Sequence, residues 1–120
     1  MNAIVERYSN TIKLQLYGHT HYDNIQIIRG IQNTNEITGI SYICPQLGSH
    51  ANGNPSFRVF DVQSDNYAVT NYHQYRLYLN EARVYPPYWR LAYTFKDLYN
   101  CTDMQYETMA KSLERIKVIA

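Results

Sequence analysis

Gly18-His19-Thr20-His21 places two imidazoles one residue apart where an alternating run comes to an end. Upstream, Ile12, Leu14 and Leu16 share one face and Lys13, Gln15 and Tyr17 the other, the period of two of a half-buried strand. Gly18 interrupts that pattern. An extended His-Thr-His would aim both rings at the same face, whereas a glycine-led turn can splay them toward two different cations. Neutral imidazole is the commonest metal-binding side chain, and a carboxylate or carbonyl usually orients it. Asp23 stands two residues on, close enough to serve as such an acceptor. The competing reading is a pair of surface histidines at a strand end, with Asp23 bonded to local backbone amides.

The remaining chemistry-bearing residues are sparser. His50 lies in a loop that contains Gly48, Gly53 and the Asn54-Pro55 pair, a composition suited to a segment hanging over a site. His73, inside a strand, is assigned no catalytic role. Cys44 and Cys101 are too few for a disulfide framework, and their pairing is not decided by sequence. Asn100-Cys101-Thr102 fits the glycosylation pattern, which operates only on a chain that meets the secretory machinery. Thirteen tyrosines are the compositional bias. Such rings can line a carbohydrate or choline-like headgroup site, but half-buried packing with one polar tip in water is their commoner use.

These residues must be positioned by short elements. Beyond the first strand, strands are expected over 24–29, 39–43, 56–62 and, with an interruption, 68–79, with a turn at Asn33-Thr-Asn-Glu36. Together, residues 12–79 are expected to form neighbouring strands of one sheet layer. Pro86-Pro87 ends the strand pattern, and from Tyr88 the spacing of Trp89, Ala92, Tyr93 and Phe95 or Lys96 predicts helix. Thr102 or Asp103 is the expected cap of a last helix whose apolar stripe is Tyr106, Met109, Ala110, Leu113 and Ile116.

Gly18-His-Thr-His-Tyr-Asp23 resembles the last metal-binding motif of calcineurin-like metallophosphoesterases, in the form found in acid sphingomyelinase-like phosphodiesterases. Other segments agree, in order. Asn2-Ala-Ile-Val-Glu-Arg-Tyr8 is similar to the helix before the motif strand, and Ile40-Ser-Tyr-Ile-Cys-Pro45 to a following core strand. Asn54-Pro-Ser-Phe-Arg-Val59, Gln74-Tyr-Arg-Leu-Tyr-Leu-Asn80, Trp89 and Tyr93-Thr-Phe-Lys96 resemble the family's later segments. The resemblance implies an α+β fold, the C-terminal portion of a four-layer αββα metallophosphoesterase sandwich with strands to about residue 80, followed by a helical C-terminal region. Its implied division is residues 1–83 in the catalytic domain and 84–120 in the helical part. It also implies that His19 and His21 each bind one metal of a two-zinc site and that His50, where the family carries a tyrosine beside the pocket, lies near the substrate.

Several family motifs are absent. The Asp-x-His, Gly-Asp and Gly-Asn-His motifs that complete such a site do not occur in these 120 residues, so the expected partner is a missing N-terminal catalytic half. A phosphodiester such as a sphingomyelin-like phospholipid is the implied substrate of the complete enzyme, and this chain is expected to be inactive alone. The family is secreted or lysosomal, yet no signal peptide is recognised after Met1. Eleven basic and ten acidic residues leave a net charge of +1 without a Lys/Arg cluster, which argues against nucleic acid as a partner. No run approaches the roughly 20 apolar residues of a membrane span. A reading from another class stays open: a non-catalytic remnant or tyrosine-rich binding module whose histidines are vestigial.

Overall fold

The structure, a computed structural model, describes residues 2–50 and 53–119, with side chains described as far as residue 112. It is an α+β arrangement of two three-stranded sheets and a few helices. The first sheet has the order β1-β3-β2, where β1 is Gln15–Tyr17, β2 is Asn24–Arg29 and β3 is Ile37–Ile43. β1 runs parallel to β3, and β2 antiparallel to it. The second sheet has the order β4-β5-β6, built antiparallel from Ser56–Val62, Val69–Arg76 and Arg90–Thr94. The strands up to residue 79 are therefore divided between two sheets and do not form one layer.

β3 is central and covered on both faces. Ile40 and Tyr42 point into a core shared with Tyr72, Phe95, Cys101, Met104 and Met109, where Tyr42, Tyr72 and Phe95 meet edge-on or tilted with centroids 5.4–6.1 Å apart. That geometry matches the electrostatic preference of aromatic rings. On the other face, α1 (Asn2–Arg7) lays Val5 over Gly39, where a Cβ would come within 2.9 Å of the valine methyl. Only a glycine lets helix and strand approach so closely. The Tyr42 hydroxyl donates to the Met104 carbonyl at 2.9 Å, which satisfies the one polar atom of a ring that is 1% exposed.

The helical expectation from Tyr88 needs correction. Arg90–Thr94 is the third strand of the second sheet, paired with β5 from His73↔Thr94 to Arg76↔Arg90 with a register shift at Gln74/Tyr75. So few residues near helical spacing cannot be told from a strand by period alone, and ladder bonds to β5 decide for the strand. Helix begins only at α2 (Phe95–Tyr99). There, the Thr94 hydroxyl accepts from the Asp97 amide and donates to its carboxylate, and left-handed Asn100 (φ 50°) ends the helix.

The last helix, α3, spans Tyr106–Ile119. Asp103, expected as its cap, instead accepts from the Gln105 amide in a turn before it. Met109 of the predicted stripe is buried and Tyr106 packs on the core; the side chains of Leu113 and Ile116 lie outside the described residues. No described helix is long and apolar enough to cross a membrane.

A candidate metal-ligating turn

β1 ends at Tyr17, and the chain must return to begin β2 at Asn24. Two backbone bonds tie that return to the residues after β3: the Cys44 amide donates to the Tyr17 carbonyl at 2.8 Å and the Gln46 amide to the His21 carbonyl at 3.2 Å. Between these ties the backbone folds sharply. His19 has φ 76° and His21 φ 68°, whereas Gly18 keeps a negative φ. The Thr20 amide donates to the Gly18 carbonyl at 3.0 Å, so His19 sits at the apex of a γ-turn of the rare, strained kind. Positive φ in a non-glycine residue costs on the order of 1–3 kcal/mol and collects at functional sites.

The consequence is the splaying expected of the turn, although the histidines and not the glycine adopt the unusual conformation. His19 lines an open cavity of about 440 Å³ on the outer face of the first sheet, with Gln15, Tyr17, Gln26, Ser41 and Ile43. His21 lines a second cavity of about 180 Å³, with Asp23, His50, Asn54, Ser56 and Arg76. In the second cavity the His21 and His50 rings meet edge-on, centroids 5.5 Å apart. His21, His50 and Asp23 therefore border one cavity without converging on a common point, and His19 stands apart from them.

Asp23 has partners other than a histidine. Arg58 Nη2 donates to its Oδ1 and the Tyr93 hydroxyl to its Oδ2. Arg58 Nε donates to Gln74 Oε1 at 2.5 Å, its guanidinium carbon lies 4.2 Å from the centre of the Tyr72 ring, and its side chain is 1% exposed. Gln74 in turn donates to the carbonyls of Phe57 and Tyr75 at 3.2 and 3.3 Å. The Tyr72 and Tyr93 hydroxyls stand 3.3 Å apart.

A charge buried this deeply is tolerable only when paired and hydrogen-bonded. Burial lowers the Arg58 pKa, but Tyr72, Asp23 and Tyr93 together hold it above its ordinary value. Tyr93 is raised by burial and by its bond to Asp23. Burial also pushes Tyr72 up to about 12. The Cys44 thiol is raised by burial and partly relieved by Arg58.

Arg58, Tyr93 and Gln74 do not stand out as site residues in the sequence, although one signal is there. Arg58 shares a strand face with buried Ser56 and half-buried Phe60, and a cation on the core side of a strand calls for a distant partner. His73 lies on the opposite face of the second sheet, with Nε2 2.9 Å from Asp61 Oδ2. Cys44 and Cys101 are both free thiols.

Each imidazole suits a cation individually: His19 and His21 are exposed, and among the described residues neither ring is engaged in a hydrogen bond. Together they do not make a complete donor set. Among the described residues no three His, Cys, Asp or Glu side chains come together, while a catalytic zinc takes three protein ligands.

No family model matches the chain. Sphingomyelin phosphodiesterase A of Dictyostelium discoideum is 31% identical over 115 residues, covering 95% of this chain and 20% of that protein. Sphingomyelin phosphodiesterase of Homo sapiens is 26% identical over 102 residues, covering 80% and 16%. The cyclic GMP-AMP phosphodiesterase of Rattus norvegicus is 28% identical over 123 residues, covering 97% and 27%. The chain thus spans about a sixth to a quarter of the length of these relatives. Matched along its length to the C-terminal end of such proteins, the chain is an acid sphingomyelinase-like sequence.

Proposed function

We propose that this chain supplies the last two imidazole ligands, His19 and His21, of a two-zinc phosphodiesterase site whose other ligands come from an N-terminal half. One observation carries the reading: the turn splays the two rings apart so that they line different cavities, which leaves each free to serve a different cation. When bound, the metals would polarise the phosphate and generate a hydroxide nucleophile. His19 and His21 would contribute ligation alone. His50, edge-on to His21, would border the phosphodiester, and Arg76 in the same cavity would add positive charge facing its anionic oxygens.

The relatives named as sphingomyelin and cyclic GMP-AMP phosphodiesterases support phosphodiester hydrolysis as the reaction class. A sphingomyelin-like phospholipid is the proposed substrate of the complete enzyme. With two of the required ligands and no bridging carboxylate at the turn, the isolated chain should bind zinc weakly and turn over nothing.

Mixing the chain with the N-terminal portion of the Dictyostelium relative and zinc should restore hydrolysis of a chromogenic phosphodiester. His19→Ala and His21→Ala should each abolish it. Zinc-dependent turnover by the 120-residue chain alone, or full activity of both variants in the mixture, would overturn the proposal.

A further inference from the structure

The buried network behind the His21 turn joins two sheets that share no ladder. Arg58 comes from β4, Gln74 and Tyr72 from β5, and Tyr93 from β6, while Asp23 belongs to the return between β1 and β2. Asp23 is two residues from His21, and both of its carboxylate oxygens are held. On the other side of the backbone, the His21 carbonyl is held by the Gln46 amide. Left-handed His21 is thus fixed from both flanks, which a strained residue needs if it is to persist. The network is costly, since it removes a full cation and most of a carboxylate from water. Apolar packing would serve stability as well, so the retained charges point to geometry.

We propose that Arg58, Asp23 and Tyr93 are positioning residues that hold His21 in its left-handed conformation and aim its imidazole into the cavity shared with His50. The effect is local to His21. His19 faces the other cavity, and its turn is closed by backbone bonds at Tyr17 and Thr20, so it provides an internal control within the same motif. The proposal deepens the ligand reading of His21 and rests on that reading only for its zinc measurement.

The test uses the whole chain, isotope-labelled, in Tyr93→Phe and Arg58→Lys variants. Tyr93→Phe removes one hydroxyl; Arg58→Lys keeps the charge but cannot reach Gln74 and Asp23 together. Without metal, folded variants should lose the His21–His50 ring-to-ring cross-peak and shift the His21 Cα and Cβ resonances, while His19, Tyr42 and Phe95 stay in place. Titration with zinc alone should show affinity at His21 weakened about ten-fold and affinity at His19 unchanged, the scale on which partners behind a metal ligand act.

Unmoved His21 signals in folded variants, or equal movement of His19 and His21, would overturn the proposal. If the unmutated chain shows no zinc response at either ring, the ligand reading fails, and the metal-free spectra still decide the positioning role. Should Arg58→Lys not fold, the Tyr93→Phe spectra decide the matter by themselves.

Discussion

The two cavities beside the His-Thr-His turn differ in what stands behind them. Behind His21 lies a dense seam where Arg58, Asp23, Tyr93, Tyr72 and Gln74 bond across both sheets. The His19 side is an open cavity over one sheet, walled by Gln15, Gln26 and Ser41, and that sheet is backed by α1 through Val5 and Gly39. Both histidines have a positive φ. One is locked by long-range side-chain contacts and the other by a local turn. Two histidines of one short motif can therefore be held by different physics, a preorganised network in one case and a γ-turn on an edge strand in the other.

Arg58→Met should break the contrast most severely. It leaves Asp23 without its cation in a desolvated seam, a loss of about 3–5 kcal/mol, read as a lower urea midpoint. A cost near zero would mean that the seam is not what distinguishes the His21 side.

Alkali should attack the same seam next. An ordinary tyrosine titrates at 10.0 and the folded Tyr72 hydroxyl sits at about 12, so between these the unfolded chain releases a proton that the folded one keeps. Stability is full below pH 10 and falls as pH rises through the window, by about 1.4 kcal/mol per pH unit for each such hydroxyl. Thermal melts across that range should show the decline, and Tyr72→Phe should make it shallower.

Gly39→Ala sharpens the comparison from the opposite side. Its methyl would collide with Val5 at 2.9 Å and crowd the Gln15 amide at 3.3 Å, an overpacking cost of about 1–3 kcal/mol. Resonances of α1 and His19 should move, and those of His21 should not. The smallest effect is expected from Lys13→Ala. Its pairing with Glu107 is 3.8 Å long, with side chains 42% and 51% exposed, so its loss should change stability by under about 0.5 kcal/mol. A larger value would show that the link from the β1 approach to α3 matters to both cavities.

Much of the scaffold is legible in the chain before it folds. Residues 24–29 and 56–62 alternate and are bounded by turn residues, and β2 and β4 occupy those spans. The turn at Asn33–Glu36 closes through the Glu36 amide and the Asn33 carbonyl at 3.1 Å. β6 is not legible, because Leu91 and Tyr93 flank a register shift that spoils the period of two. Within the site, the position of His19 and His21 after a strand can be read. The partnership of Asp23 with Arg58 cannot, since it joins residues 35 apart and neither neighbourhood hints at the other.

From the chain alone one can read the segments of β2 to β5, the placement of two imidazoles where the first alternation stops, and the likeness to acid sphingomyelinase-like phosphodiesterases. These are local properties, set by side-chain periodicity and by the order of motifs. Tertiary structure decided the rest: the division of strands between two sheets, the entry of His19 and His21 rather than Gly18 into the left-handed region, and the choice of Arg58 as the partner of Asp23. The reason is that strain and buried charge are unfavourable taken alone, and only contacts from distant segments, assembled together, make them the lower-energy arrangement.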